Sequence, residues 1–228
     1  SFKSSKLRYY FEKDNSPPQG LNKGFSKATG KYYLFLNSDD VLLKDALSIF
    51  HQTILKYPLY DVYSGGSEII NAKGEKLRET FSDKYNIHMA VYGHSIIIQP
   101  STTFKSSLFK SVGGFNEKNI CNWDAELFFD FALKSAKFFK VKTMLSQYRI
   151  TNETITGSGK YKDLVLENIR NMYKKLYLKD INISYYIISF FYRIKRKILN
   201  LDDTLNRIIY GKISGRYSKR RFIKKINF

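Results

Sequence analysis

Residues 12–40 read EKDNSPPQGLNKGFSKATGKYYLFLNSDD, and their order decides the fold class. Asp14-Asn15-Ser16, followed by Pro17 and Pro18, is turn chemistry. Gln19 to Ala28 predicts a short helix, with Leu21, Phe25 and Ala28 on one face and Gly30 just past its end. Lys31 to Leu36 is a nearly continuous apolar run rich in aromatics. Such a run suits a strand covered on both faces, as in a parallel sheet. It ends in Asn37-Ser38-Asp39-Asp40. In open α/β sheets, ligands sit in the crevice at strand ends of this kind.

Outward from this stretch the α/β pattern repeats. Leu7 to Phe11 suits a short strand on the near side. On the far side, Lys44 to Lys56 has helical spacing through Leu47, Phe50 and Ile54, and Pro58 stops it. Asp61 to Ser64 predicts a strand; Gly65-Gly66 and Asn71 to Gly74 predict turns. His94 to Gln99 is a further strand candidate, and Lys105 to Val112 a short helix closed by Gly113-Gly114. Asp124 to Ser135 reads as a helix with Leu127, Phe128 and Phe131 on one face. Phe138 to Lys142 and Leu145 to Ile150 read as two strands, and Tyr161 to Leu176 as a helix. Strands alternating with helices imply crossover connections in one sheet.

Composition narrows the function classes. The chain has 228 residues, 43% of them hydrophobic, which suffices for a core and excludes wholesale disorder. A single cysteine, Cys121, excludes a disulfide scaffold and a Cys-based zinc site and points to a reducing compartment. His51, His88 and His94 are too scattered for a His-rich metal centre. The sequence contains no apolar run long enough to span a bilayer. It opens SFKSSKLRYYFEKD, basic and without an apolar signal core, and lacks an initial Met; the expectation is a fragment.

The formal charge of +19 calls for a polyanionic neighbour or a membrane surface. It is concentrated at one end: from Lys174 onward there are 15 Lys and Arg against 3 acids. There, Ile183, Ile187, Phe190, Ile194, Ile198, Leu201, Leu205 and Ile208 follow one another at steps of three or four. Such a stripe beside Arg and Lys suits docking on anionic lipid. It suits a helix packed on the domain with a solvated basic face less well, and nucleic acid least.

Four places could carry chemistry. Asp39 and Asp40 repel each other unless a cation lies between them, and Mg²⁺ or Mn²⁺ held with substrate phosphates would suit them; alone, the pair also reads as a polar loop capping the next helix. Asp124 and Glu126 open an aromatic-rich helix, where a desolvated carboxylate could act as a general base or merely complement the helix dipole. Pro100, Ser101 and Thr102, within Gln99 to Thr103, could line a polar pocket or form a solvated loop. Asn22 and Gly24 lie in a helix that could face a phosphate, although no P-loop spacing is present.

As an ordered set, Glu12, Asp14, Asn22, Gly24, Ala28, Gly30, Asn37, Asp39 and Asp40 closely resemble the middle of the family 2 glycosyltransferases with the GT-A fold. HSIIIQPSTTFKSSLFKSVGGFNE (94–117) resembles the family's acceptor-side segment, and NWDAELFFDFALK (122–134) the segment with its catalytic base. The resemblance covers roughly residues 7 to 150. It implies a GT-A-like, mostly parallel sheet flanked by helices and lacking its first strands, with a partial glycosyltransferase domain over residues 1–157 and a helical basic tail over 158–228. The apolar first strand and the base-contacting Asp of the family are not found in the sequence, Ser16 stands where Gly is common, and Gln19 where an acid is common.

The resemblance further implies a hexosyl-type transferase that moves a sugar, with inversion, from a nucleotide-sugar donor to a saccharide or lipid-linked acceptor hydroxyl. Cell-surface polysaccharide synthesis at the cytoplasmic face of the plasma membrane is the implied setting. Asp40 and Asp39 would hold Mg²⁺ or Mn²⁺, and Asn22, Gly24, Asp39 and Asp40 would line the donor site. Pro100, Ser101 and Thr102 would lie on the acceptor side, with Asp124 as the base and Glu126 assisting. The rival readings are a non-catalytic polybasic module, a metal-dependent phosphohydrolase using the same carboxylates, and an inactive fragment.

Overall fold

A computed structural model describes residues 6–151 and 153–210. In chain order its elements are α1 (Pro17–Ser26), β1 (Tyr32–Tyr33), β2 (Val41–Leu42), α2 (Ala46–Lys56), β3 (Val62–Ile70), β4 (Lys76–Phe81) and α3 (Ile87–Ala90). A 3-10 turn at Gln99–Ser101 leads into β5 (Thr102–Lys105) and α4 (Ser106–Ser111). Then come α5 (Trp123–Leu133), β6 (Phe138–Arg149), α6 (Ile155–Ser158), α7 (Lys162–Tyr177), α8 (Ile183–Leu199) and α9 (Leu201–Tyr210).

The strands form one sheet in the order β1-β5-β3-β6-β2, with β4 also paired to β3. It is mixed, and the expectation of mostly parallel pairing is corrected. Only β3 and β6 run parallel, whereas β1–β5, β3–β5, β3–β4 and β2–β6 are antiparallel. The connections account for this. Asn71 to Gly74 folds β4 straight back on β3, with Gly74 at φ +83°. The long β3–β6 crossover carries α5, as a parallel pair requires.

The expected turn at Gly65-Gly66 is also corrected: both glycines lie inside β3. Here β3 approaches β6 so closely that a Cβ on Gly65 would sit 2.5 Å from Leu145 Cδ1 and 2.8 Å from the Thr143 carbonyl. The β3–β6 register shifts at the same place. Glycine is needed for backbone approach rather than for reversal.

The strand expected over Lys31 to Leu36 forms only at Tyr32–Tyr33, antiparallel at the sheet edge, and Leu36 is exposed, but residues 32–35 are covered on both faces. Tyr33 and Phe35 join Phe25, Phe104, Phe109, Phe115, Phe128 and Phe131 in one aromatic cluster. Tyr32 and Leu34 pack on the other side with Ala46, Phe50, Tyr63, Val141 and Leu145. Close ring pairs such as Phe25–Tyr33 at 4.8 Å and Phe104–Phe131 at 5.2 Å contribute about 0.5–1.5 kcal/mol each beyond area burial. On α2 the buried face runs through Ala46 and Phe50, while Leu47 is exposed.

Two expected strands do not form. Leu7 to Phe11 makes no ladder, and Leu7, Tyr9, Tyr10 and Phe11 are exposed. At residues 94–98 the amides bond side chains instead of a neighbouring strand: Ile96 N–H donates to Asp83 Oδ2 and Ile98 N–H to Ser82 Oγ. The strands expected at 138–142 and 145–150 merge into the single β6.

A third cluster joins the C-terminal helices to the rest. Phe129 of α5 packs with Val91, Tyr92, Met172, Tyr173 and Tyr185. Among the described residues, no helix is long and apolar enough to cross a membrane.

Candidate functional site

The carboxylate loop sits between the end of the β1 segment and β2. The Asp40 N–H donates to the Asn37 carbonyl at 3.2 Å, which curls Asn37 to Asp40 into a turn. This turn carries the Asp40 side chain inward, where it is 6% exposed. Its Oδ1 accepts from the Arg149 N–H at 2.9 Å and its Oδ2 from Asn37 Nδ2 at 3.2 Å. Burial pushes its pKa up to about 6; the Arg149 N–H pulls the other way, and the charge of Asp39 adds to the rise.

Arg149 clamps the loop from the end of β6. Its Nε donates to the Asp39 carbonyl at 2.9 Å, and Nη1 donates to the carbonyl of Asn71 at 2.8 Å. Gln99 holds the other side: its Nε2 donates to the Phe35 carbonyl at 2.7 Å, and its Oε1 accepts from Asn37 Nδ2 at 3.2 Å. The guanidinium thus bonds backbone carbonyls, while the Asp40 carboxylate receives one backbone N–H and one amide. Two adjacent carboxylates, one desolvated, form a hard oxygen donor set suited to Mg²⁺ or Mn²⁺ shared with phosphate oxygens. Among the described residues, no group of three or more His, Cys, Asp and Glu gathers to hold a metal by itself.

Asp124 lies in the first turn of α5, half-buried, with Oδ1 accepting from the Ala125 N–H at 2.9 Å. Burial raises its pKa above the ordinary 3.8, against the pull of that N–H. The preceding Trp123 packs on the same aromatic cluster as Phe35, which leads into the Asp39–Asp40 loop. Phe115 bridges the two approaches, edge-on to Phe35 at 5.4 Å. Trp123 at the start of α5 and Phe35 before the carboxylate loop thus pack on the same core cluster.

Glu126 does something more specific than supply first-turn acidity. Its Oε1 accepts from Asn116 Nδ2 at 3.0 Å and its Oε2 from Asn119 Nδ2 at 2.6 Å. Asn119 Oδ1 in turn accepts from the N–H groups of Cys121 and Asn122 and from Asn168 Nδ2 of α7. Glu126 thus orders the loop that leads into Asp124.

The remaining predicted residues have structural partners of their own. Asn22 stitches α1 to the Gly113-Gly114 turn: its Oδ1 accepts from the Phe115 N–H at 2.9 Å, and its Nδ2 donates to the Phe115 carbonyl and to Glu117. Gly24 is exposed, and a side chain there would meet open space. The expectation of a hydroxyl-lined pocket at Pro100, Ser101 and Thr102 is corrected, because all three are buried. Ser101 Oγ donates to the Gly66 carbonyl at 2.6 Å, and Thr102 Oγ1 donates to the Ile98 carbonyl at 2.7 Å. Buried hydroxyls take internal partners because leaving them unpaired is costly.

Sequence reasoning missed Arg149, Asn119 and Asn168. Arg149 lies 109 residues from Asp40 in the chain, at the end of a strand, where no spacing rule points to it. The density of asparagine at 116, 119 and 122 is a readable signal of a loop that satisfies itself.

Comparison with known proteins bears on the fold. Residues 2–113 match the family described as Glycosyl transferase family 2. An uncharacterised glycosyltransferase of Rickettsia prowazekii is 25% identical over 170 residues, covering 70% of this chain and 54% of that protein. One of Rickettsia conorii is 28% identical over 133 residues, covering 54% of this chain and 22% of that protein. The chain thus spans about half the length of the first of these relatives. Among solved structures, S. aureus TarS 1–349 superposes with a TM-score of 0.51 at 15% identity, covering 85% of this chain and 53% of that one. The same protein in complex with UDP-GlcNAc gives a TM-score of 0.54 at 14% identity, covering 85% of this chain and 54% of that one. The sheet and its flanking helices are those of a GT-A-like fold, and residues 2–113 carry the match to glycosyl transferase family 2.

Proposed function

We propose that this chain carries the carboxylate loop and the general base of an inverting, hexosyl-type glycosyltransferase. It takes a sugar from a nucleotide-sugar donor and passes it to a hydroxyl of a saccharide or lipid-linked acceptor, in cell-surface polysaccharide synthesis. The observation that carries the reading is the desolvated Asp40 beside Asp39, held by backbone and amide groups at the rim of the sheet. The fold likeness to a protein solved with UDP-GlcNAc supports a donor of that class.

Asp39 and Asp40 would hold Mg²⁺ or Mn²⁺, which when bound offsets the charge of the departing nucleoside diphosphate. Arg149 and Gln99 keep the loop in one shape, so that little reorganisation is needed when the donor arrives. Asp124 takes the proton of the acceptor hydroxyl; with Oδ1 on the Ala125 N–H, Oδ2 receives it. The acceptor oxygen bonds to the anomeric carbon as the bond from that carbon to the diphosphate breaks, which inverts the centre. Work at the inner face of the plasma membrane belongs to this reading and rests on the basic excess from Lys174 onward.

Isothermal titration with nucleotide-sugars and Mn²⁺ tests the donor side: Asp40→Ala is expected to abolish metal-dependent binding. Asp124→Asn should keep donor binding and lower turnover about 10²- to 10⁴-fold. Full turnover by Asp124→Asn would remove the base, and phosphate release without a nucleotide-sugar would favour a hydrolase instead.

A further inference from the structure

The C-terminal helices are packed with their polar face inward. Tyr185, Ser189, Tyr192 and Arg196 face the domain. The Tyr185 hydroxyl donates to the Val91 carbonyl at 3.3 Å, Ser189 Oγ meets His94 Nε2 at 3.1 Å, and the Tyr192 ring lies 5.1 Å from that of Tyr92. Arg196 Nε donates to Asp83 Oδ2 at 2.7 Å. On α9, Asp203 is buried against Arg78, Thr80, Arg196 and Arg207. The apolar stripe therefore points away from the protein. Ile183, Ile187, Phe190, Ile194 and Ile198 of α8, with Leu201, Leu205 and Ile208 of α9, are between 41% and 80% exposed. A stripe of this kind on a soluble domain normally faces its core. Here the ion pairs hold it outward.

We infer that this outward stripe is a docking face for an anionic lipid surface. Charge selects the occupant. At helical spacing, Arg193 and Lys197 fall on one border of the α8 stripe and Lys195 on the other. None of the three pairs with a carboxylate among the described residues. The sequence that follows, residues 211–228, holds seven Lys and Arg and no acid. A second copy of this chain would bring +19 against +19. A surface of lipid phosphates instead accepts the basic borders while its acyl region takes the stripe. A groove of about 370 Å³, lined by Phe191, Tyr192, Ile194, Lys195, Ile198 and Leu199, borders the stripe on its Lys195 side.

The inference deepens the membrane-face part of the proposed function and rests on it; the test uses the whole chain without donor or metal, so a failure to dock is distinguishable from a failure to bind donor or transfer sugar. Co-sedimentation is measured with phosphatidylglycerol–phosphatidylcholine vesicles and with phosphatidylcholine vesicles alone. The chain should pellet with the anionic vesicles, and binding should weaken as salt rises to about 1 M. The triple variant Phe190→Glu, Ile194→Glu, Ile198→Glu should lower the partition coefficient at least about tenfold. These positions are exposed, so its thermal midpoint should stay in place; if it falls, the milder pair Phe190→Ser, Ile198→Ser is scored instead. Absence of pelleting, equal pelleting with both vesicle types, or undiminished pelleting of the variants would overturn the inference. A dimer seen by light scattering and dissolved by the same substitutions would overturn it too, by giving the face to a second copy.

Discussion

Asp40 and Asp203 are both buried acids, yet the fold treats them in opposite ways. Asp203 is met by guanidinium groups from Arg78, Arg196 and Arg207 and by the Thr80 hydroxyl. Asp40 is met by a backbone N–H and an amide, while the nearby Arg149 guanidinium turns to carbonyl oxygens. Neutralising a buried carboxylate with arginine is thus well within this chain's means. It does so where two helices must be fixed to the sheet. At the rim of the sheet it buries the carboxylate without a guanidinium bond, and that burial raises its pKa. One acid serves architecture; the other is the acid to which the proposed function gives a chemical role.

The largest expected effect tests the architectural side. Asp203→Ala leaves Arg78, itself buried, without that carboxylate and should cost about 3–5 kcal/mol in urea unfolding. Amide exchange in α8 and α9 should rise with it. A loss below about 1 kcal/mol would show that the cluster does not hold these helices.

The next effect tests the chemical side and carries a definite sign. With its pKa raised from 3.8 to about 6, Asp40 in its ionised form destabilises the fold. That cost is absent below the ordinary value, grows as pH rises between the two, and is complete above about 6. Asp40→Asn should therefore be more stable than the parent by about 1–3 kcal/mol near neutrality, with the gap closing towards acid pH. Urea titrations across that range check it, and a gap independent of pH would mean that charge is not the cause.

The smallest effect lies between the two regions. His94 is held below its ordinary 6.5, first by burial and then by Arg196 and Arg193; Ser189 Oγ is its hydrogen-bond partner on α8. A depressed histidine contributes stability above its ordinary value and loses that contribution as pH falls through the folded one. Exchange in α8 should quicken modestly in mild acid, and His94→Gln should flatten the response. A profile identical in the variant would remove His94 as the source.

Much of this molecule is legible as a sequence where pattern and chemistry are local. The two-sided burial of Tyr32 to Phe35, the helix opened by Trp123, and the glycines closing α4 all sit where their spacing places them. What fails is what depends on a distant partner. Leu7 to Phe11 has strand composition but makes no ladder. Gly65-Gly66 looks like a turn until β6 is seen pressing on it. The hydroxyls of Ser101 and Thr102 look available until the Gly66 and Ile98 carbonyls claim them. The stripe on α8 is legible without its facing, because periodicity gives a face and not the side of the helix that a neighbour will choose.

Asn168 carries a further consequence. Its amide reaches from α7 to Asn119 and Asn122, the two residues that shape the approach to Asp124. A C-terminal truncation that removes α7 would therefore not trim a dispensable extension. It would release the anchor line of the helix that carries the proposed base, and the harm would surface at Asp124, which the deleted residues never touch.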